Sequence, residues 1–128
     1  MILIPSAETH DEMLGAFQRR LEGAELRIYD QARPTSPNAP IDGQKLLATV
    51  PFTGAELADG MVRGSFDQEL AGASGEATWA RAIASDGSPI FDCDVGEKDS
   101  DAAIELNTTG LRKGGPVSIN SFALGVGR

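Results

Sequence analysis

The sequence is poor in the residues that most often carry chemistry. Its 128 residues include one cysteine, Cys93, and one histidine, His10. A single cysteine cannot form an intramolecular disulfide, and this pair cannot supply the ligands of a cysteine-rich metal site. The low cysteine content is typical of proteins kept in a reducing cytoplasm. We therefore predict no disulfide and no cofactor.

Long apolar runs are also missing. No stretch approaches the roughly 20 apolar residues that a membrane-spanning helix needs, and the apolar opening at residues 1–5 is too short for a signal peptide. Lysine and arginine number 11 against 19 aspartates and glutamates, which gives a net charge of −8. Such a surface repels phosphate backbones. Neither a membrane nor a nucleic acid is predicted as a partner.

Short apolar runs, each closed by Gly, Pro, Asn or Asp, recur from Glu25 onward. The composition, 41% apolar and 23% charged, is typical of one globular domain. The regular spacing of these short runs predicts a mainly β fold with one N-terminal α-helix. The expected architecture is an antiparallel β-sandwich, jelly-roll or Ig-like, with seven or so strands. Within a single domain, residues 1–24 are expected to form an arm and an amphipathic helix, and residues 25–128 the β-sandwich.

The one convincing helical pattern spans residues 9–22. Thr9 and Glu12 have the spacing of a capping box, and Gly23 is a suitable left-handed stop. Apolar residues recur along one face of this helix. They are Met13, Leu14, Phe17 and Leu21. The stripe is expected to pack on the chain's own sheet, and docking on another subunit is the alternative.

Alternation of period two predicts the strands. They are expected at residues 26–30, 46–52, 61–66, 77–84, 90–95, 103–106 and 117–124. The dipeptide Asp86-Gly87 predicts a hairpin turn, because Asp-Gly tolerates positive φ. Residues 31–44, with three prolines, are expected to be a long exposed loop, and residues 54–60 one helical turn or a loop. Pro51 indicates a sheet edge or a bend.

Acidic residues are densest between Asp92 and Asp101. The ligand order of an EF-hand is absent, so we expect a solvated acidic loop that discourages pairing of strand edges, with calcium binding as the alternative. Asp92 and Asp94 would lie about 6–7 Å apart on one face of a strand, which a hydrolase could use as a carboxylate pair. No substrate cleft is indicated, so we predict that the chain is not an enzyme. Cys93 alternates with these carboxylates and is expected to point into the core.

Two further side chains have a functional and a structural interpretation. His10 is expected to be an exposed residue at the helix start, because neither a nucleophile nor further metal ligands accompany it. Arg81 falls in register with Trp79, where its guanidinium can stack on the indole or bind an acid across the sheet. Tryptophan and arginine are enriched at interfaces, so Arg81 is a candidate interface residue. We favour the alternative, a strand residue whose guanidinium reaches water.

Several segments between residues 25 and 124 resemble, in order, a family of small proteins encoded by tailed phages and prophages. The segments are 25–30 with Arg33-Pro34, 46–49 with Phe52, 75–81, Asp86-Gly87 with Asp92 and Gly96, 104–109 and 114–119. Two of these segments are specific to the family and are more than generic strand and turn: Gly-Glu-Ala-Thr-Trp-Ala-Arg at 75–81 and Leu-Asn-Thr-Thr at 106–109. The chain departs from the family at its last strand, which Gly125 and Gly127 weaken.

The resemblance implies a virion structural protein of the head region, and a capsid cement or decoration protein is our inference from it. Such a protein would bind the major capsid protein or other virion proteins and form a homo-oligomer, a dimer or a trimer. It would be assembled in the host cytoplasm and reside in the virion. The expected interface residues are Ile2, Leu3 and Ile4, as an apolar arm, and Arg81. A carbohydrate- or receptor-binding β-sandwich on the virion is the alternative.

Overall fold

The computed structural model of the chain describes residue 4 and residues 6–125, which contain one α-helix and twelve β-strands. The helix is α1 (Ala7–Arg20). The strands are β1 (Glu25–Tyr29), β2 (Leu46–Ala58), β3 (Met61–Phe66), β4 (Glu69–Leu70), β5 (Gly75–Glu76), β6 (Trp79–Ile83), β7 (Pro89–Glu97), β8 (Ile104–Leu106), β9 (Gly110–Leu111), β10 (Pro116–Val117), β11 (Ile119–Ser121) and β12 (Ala123–Gly125).

Helix α1 begins earlier than the sequence predicted. Its N-cap is Ser6, whose hydroxyl oxygen accepts a hydrogen bond from the Thr9 N–H at 3.2 Å. The predicted cap at Thr9 is therefore wrong: serine caps a helix at least as well as threonine, and Thr9 lies inside the first turn. Gly23 follows the helix with a φ of +71°, which confirms it as the left-handed stop.

Eight strands form one sheet in the order β11-β8-β7-β6-β1-β2-β3-β12. Neighbouring strands are antiparallel, except that β7 and β8 run parallel. The pairs β4–β10 and β5–β9 form two small additional sheets. The mainly β class with one helix is confirmed. The predicted sandwich is not confirmed, because the strands assemble into one large mixed sheet.

The order of the strands makes this sheet nearly a barrel. Strands β11 and β12 lie at opposite edges of the sheet, yet only Phe122 separates them in the chain. The Cα atoms of Ser121 and Ala123 can be no more than about 8 Å apart, so the two edges meet. The single strand predicted over 117–124 is wrong: the chain divides there into β10, β11 and β12, which take different partners.

Strand β2 is longer than predicted because it changes partner along its length. It pairs with β1 as far as Pro51 and with β3 beyond it. Pro51 therefore marks a bend, which its missing N–H favours. The helical turn or loop predicted at 54–60 is wrong, since β2 continues to Ala58 and returns through Asp59-Gly60. Both turn residues have positive φ, +55° and +73°, as a tight two-residue hairpin turn requires.

The hairpin predicted around Asp86-Gly87 is confirmed. Strands β6 and β7 pair antiparallel, and the Ala84 N–H donates to the Ser88 carbonyl oxygen at 2.8 Å to close the turn. Gly87 has a φ of +88°, which a residue with a side chain adopts only with strain. Strand β6 is buried along its whole length. Both faces of the sheet are therefore covered at this hairpin.

The curled sheet encloses the main apolar core, and α1 packs against it. The sheet contributes Leu26, Ile28, Leu47, Val50, Val62, Ile104 and Leu106, all fully buried. Leu14 of the helix and its C-cap Leu21 are buried as well, and Phe17 is half-buried against the same cluster. Met13, at the margin of the stripe, remains 46% exposed. The helix thus packs on its own sheet, against β2 and β3, as predicted.

Candidate functional site

The outer face of the β6–β7 hairpin carries a buried ion pair. Arg81 and Asp92 lie opposite each other, with Nε 2.7 Å from Oδ1 and Nη2 3.0 Å from Oδ2. Their side chains are only 7% and 1% exposed. The hydrogen bond to Asp92 raises the pKa of Arg81 above its ordinary value, although burial opposes this. Binding of an acid across the sheet is confirmed, and the alternative that the guanidinium reaches water is wrong.

Two aromatic rings lie beside the ion pair and complete a cluster of four side chains, those of Arg81, Asp92, Tyr29 and Trp79. The rings of Tyr29 and Trp79 stack with their centroids 4.6 Å apart. The Arg81 guanidinium carbon lies 5.4 Å from the centre of the Trp79 ring, within the range of a cation–π contact. The indole N–H donates to the Asp30 carbonyl oxygen at 3.1 Å. The predicted stacking of Arg81 on the indole is confirmed.

The proline-rich loop at residues 31–44 folds back over the ion pair. The guanidinium donates hydrogen bonds to the carbonyl oxygens of Ala39 at 2.8 Å and Ser36 at 3.2 Å. At the base of the loop, the Asp30 carboxylate accepts from the Lys45 N–H at 2.6 Å. A compact segment whose ends meet in this way is an Ω-loop. The loop predicted to be exposed is therefore anchored to the sheet on its inner side.

Next to this cluster, one edge of β7 is unpaired over most of its length. Strand β6 pairs with one edge, whereas β8 pairs with the other edge only at residues 95–97. In the part of the chain that the structure describes, no strand pairs with that second edge over residues 89–94. A groove of about 580 Å³ follows it. The groove is lined by Phe17, Arg33, Phe91, Asp92, Cys93, Asp94, Ala103 and Phe122.

The groove lies along the strand edge and has an aromatic floor. Four consecutive residues of β7 line the groove. Because successive side chains of a strand point to opposite faces, a cavity that all four reach lies along the unpaired edge of the strand. Phe91 stacks on Phe17 and on Phe122, with ring centroids 5.8 and 5.5 Å apart. At one end, the Ala103 N–H donates to the Asp94 carboxylate at 2.9 Å. An open strand edge beside an apolar floor is suited to binding an extended segment.

Asp92 and Asp94 of β7 both form hydrogen bonds within the chain. Asp92 is held by Arg81, and Asp94 accepts the hydrogen bond from Ala103. The expectation of a solvated segment is wrong for Asp92, because strand pairing sets it opposite Arg81. The two side chains do not form an open pair that could serve as acid and base. Among residue 4 and residues 6–125, no three His, Cys, Asp or Glu side chains are placed to hold a metal ion.

Cys93 lies between these carboxylates in sequence and packs, half-buried, against the core. Burial, together with the negative charges of Asp94 and Asp92, raises the pKa of its thiol from 9.0 to about 12. A thiol with this pKa is neutral at pH 7 and is a weak nucleophile. The predicted inward orientation is confirmed.

We expect alkaline pH to destabilise the chain through Cys93. Below pH 9.0 the thiol is protonated in both states; between pH 9.0 and about 12 only the unfolded state loses the proton. The free energy of unfolding therefore falls as the pH rises through this window. At about pH 10.5 the loss should be at most about 2 kcal/mol, because a pKa unit is worth about 1.4 kcal/mol and the thiol is partly exposed.

Chemical unfolding of the wild type and of Cys93→Ala at about pH 8 and about pH 10.5 measures this loss. The variant reports the contribution of every other group that titrates in the same window. The wild type should lose more stability than the variant. Equal losses in both proteins would contradict a raised thiol pKa.

His10 is not the exposed residue that the sequence predicted, since only 2% of it is exposed. Because α1 begins at Ala7, His10 lies one turn before Leu14 on the same helix face. Its Cε1 atom lies beside Gly60 in the β2–β3 turn, and its Nδ1 is 3.7 Å from the Asp11 carboxylate. Its position on the buried Leu14 face, against the β2–β3 turn, therefore accounts for its burial.

The four predicted interface residues differ in their placement. Ile2 and Leu3 lie outside the described residues. Ile4 is 71% exposed, more than any other large apolar residue that the structure describes. Arg81 is buried, and its donors are bound by Asp92 and by the Ω-loop. The interface role of these residues stays a prediction, and Arg81 faces the loop instead of solvent.

Sequence reasoning missed the groove. Its floor residues Phe17, Phe91 and Phe122 come from α1, from β7 and from the link between β11 and β12, and nothing in their spacing brings them together. One signal was available: the strand predicted at 90–95 is longer than the one predicted at 103–106. A longer strand beside a shorter one keeps part of its edge unpaired.

The chain matches no family model, no curated protein and no solved structure. Within the described residues, no helix is long and apolar enough to span a membrane. The resemblance to tailed-phage proteins stays a prediction. A functional conclusion must therefore be argued from the geometry of the chain itself.

Proposed function

We propose that the chain is a non-enzymatic structural protein of a tailed-phage virion, a capsid cement or decoration protein that stabilises the head through contacts between subunits. Its partners are then the major capsid protein or other virion proteins, and the chain itself forms a dimer or a trimer. The observation that carries the proposal is the unpaired edge of β7 with its aromatic groove. An open strand edge is a ready site for a second chain.

Other features support a role in contacts instead of catalysis. The carboxylates Asp92 and Asp94 are engaged in structural hydrogen bonds, and the thiol of Cys93 is weakly reactive. The net charge of −8 suits a module on the outside of a shell, because an acidic surface is repelled by the packaged DNA. The Ω-loop, anchored by Arg81, gives the barrel a rigid outer face.

A carbohydrate- or receptor-binding module on the virion is the alternative, and it has less support. Sugar-binding surfaces use exposed aromatic rings, because a ring offers a flat apolar face. The one tryptophan and one tyrosine of the chain, Trp79 and Tyr29, stack on each other and are buried.

Binding of the purified chain to capsids assembled without it tests the proposal. We expect saturable co-sedimentation, with a copy number that is a fixed ratio to the capsid subunits, and a higher temperature of DNA release from the decorated particles. Capsids that already carry the chain are the control and should take up none. Absence of particle binding, together with binding to a glycan array, would replace this proposal by the alternative.

A further inference from the structure

The groove and one exposed apolar residue of the same chain remain without a partner in the described structure. The groove offers the edge of β7 at residues 89–94 and the rings of Phe17, Phe91 and Phe122. Ile4, just before the helix, exposes 71% of its surface. Exposed apolar surface of this kind marks a contact with another molecule.

We propose that the groove of one copy binds residues 1–5 of a second copy as an added strand along β7. The inference deepens the proposed function and rests on it, because it names the contact that joins the copies of the oligomer. Strand addition supplies main-chain hydrogen bonds to the open edge, and alternate side chains enter the apolar pocket.

Length and composition select this segment as the occupant. Its sequence, Met-Ile-Leu-Ile-Pro, contains no charged side chain, and it suits a floor made of three phenylalanine rings. Five extended residues span about 17 Å. The open edge at 89–94 spans about 20 Å at the rise of a strand, so the segment fits along it. Ile2 and Ile4 fall on one side of such a strand, where they can contact the rings.

Geometry favours a second copy over the same copy. Helix α1 starts at its cap Ser6, and Phe17, which lines the groove, lies eleven residues further along. At about 1.5 Å per residue, the cap is about 17 Å from Phe17. The chain's own segment 1–5 would use its whole reach of about 17 Å to arrive at the groove. No length would remain to pair with β7.

Two variants separate the donor from the acceptor. Ala103→Trp fills the end of the groove from an exposed position and leaves the segment intact, whereas Ile4→Asp damages the segment and leaves the groove intact. Ala16→Trp is the matched control, because Ala16 is also exposed but lies outside the groove. Circular dichroism and thermal unfolding establish that all three variants fold.

Sedimentation over a range of concentrations is the measurement. The wild type and Ala16→Trp should self-associate, and each of the other variants alone should associate about tenfold or more weakly, as loss of one buried apolar side chain predicts. An equal mixture of Ala103→Trp and Ile4→Asp should form pairs, because the intact segment of one meets the intact groove of the other. A monomeric wild type, unchanged association of either variant, or a mixture that stays monomeric would each overturn the inference.

Capsid binding, measured separately, keeps the two proposals distinguishable. A chain that binds capsids but remains monomeric overturns the inference and leaves the proposed function standing. A chain that associates through the groove and binds no capsid supports the contact and overturns the proposed function. The free peptide Met-Ile-Leu-Ile-Pro should in addition compete with association of the wild type.

Discussion

Replacement of Asp92 by alanine is expected to lower the free energy of unfolding by about 3–5 kcal/mol. The substitution removes the carboxylate that binds Arg81 at 2.7 and 3.0 Å. The guanidinium then remains beneath the Ω-loop without a counter-charge, and an unpaired buried charge costs more than the ion pair itself contributes. Chemical unfolding followed by the fluorescence of Trp79, the only tryptophan, measures the loss.

A second variant distinguishes the ion pair from the loop that covers it. Arg81→Met with Asp92→Leu removes both charges, so the stability should recover in large part relative to Asp92→Ala. The carbonyl oxygens of Ser36 and Ala39 still lose their donor. Subtilisin should therefore cleave the loop at 31–44 faster in this double variant than in the wild type.

The control is an ion pair that is partly exposed to solvent. Arg27 and Glu25 are 3.3 Å apart, and their side chains are 38% and 36% exposed. Glu25→Ala should cost less than about 1 kcal/mol, because exposed ion pairs contribute little. If Asp92→Ala lowers the free energy of unfolding no more than Glu25→Ala does, the Arg81–Asp92 pair is accessible to water.

Replacement of Leu14 by alanine should cost about 2–5 kcal/mol, the usual range for a leucine in a packed core. Leu14 is fully buried in the core between α1 and the sheet, so the truncation leaves a cavity that the surrounding structure fills only in part. Urea unfolding followed by circular dichroism measures the change.

The neighbouring Met13 supplies the control. It is of similar size but 46% exposed, so Met13→Ala should cost less than about 1 kcal/mol. The comparison also tests where the helix docks. If the helix stripe packed on another subunit, Leu14→Ala would weaken association and leave the stability of the monomer unchanged.

The local elements were predictable because each depends on a few neighbouring residues. Period-two alternation located β1, β3, β6 and β7, and the dipeptide Asp86-Gly87 located the hairpin between the last two of these. The helix start was missed because two residues, Ser6 and Thr9, have capping side chains, and only packing chooses between them. Burial of His10 was missed because it depends on contact with the distant β2–β3 turn.

The architecture could not be predicted from local patterns. A strand of a barrel and a strand of a sandwich show the same alternation, and the difference lies in which strands pair. Here the decisive pairing joins β12 to β3 and β11 to β8. In the candidate site, the sequence predicted that Arg81 contacts the Trp79 indole or an acid across the sheet, and pairing of β6 with β7 identifies the acid as Asp92. The groove on the other edge of β7 depends on contacts between distant segments, and the unequal lengths of the strands predicted at 90–95 and 103–106 were its one trace in the sequence.

The near-closure of the sheet has a consequence for synthesis of the chain. Strands β11 and β12 join the two edges of the sheet, so a nascent chain cannot finish folding before residue 125 has left the ribosome. Translation of a chain of this length takes on the order of ten seconds. During that time the edges of the strands already made remain unpaired. Neighbouring nascent chains on one messenger can pair through those edges. The yield of folded protein therefore depends on how well chaperones cover these strand edges during translation.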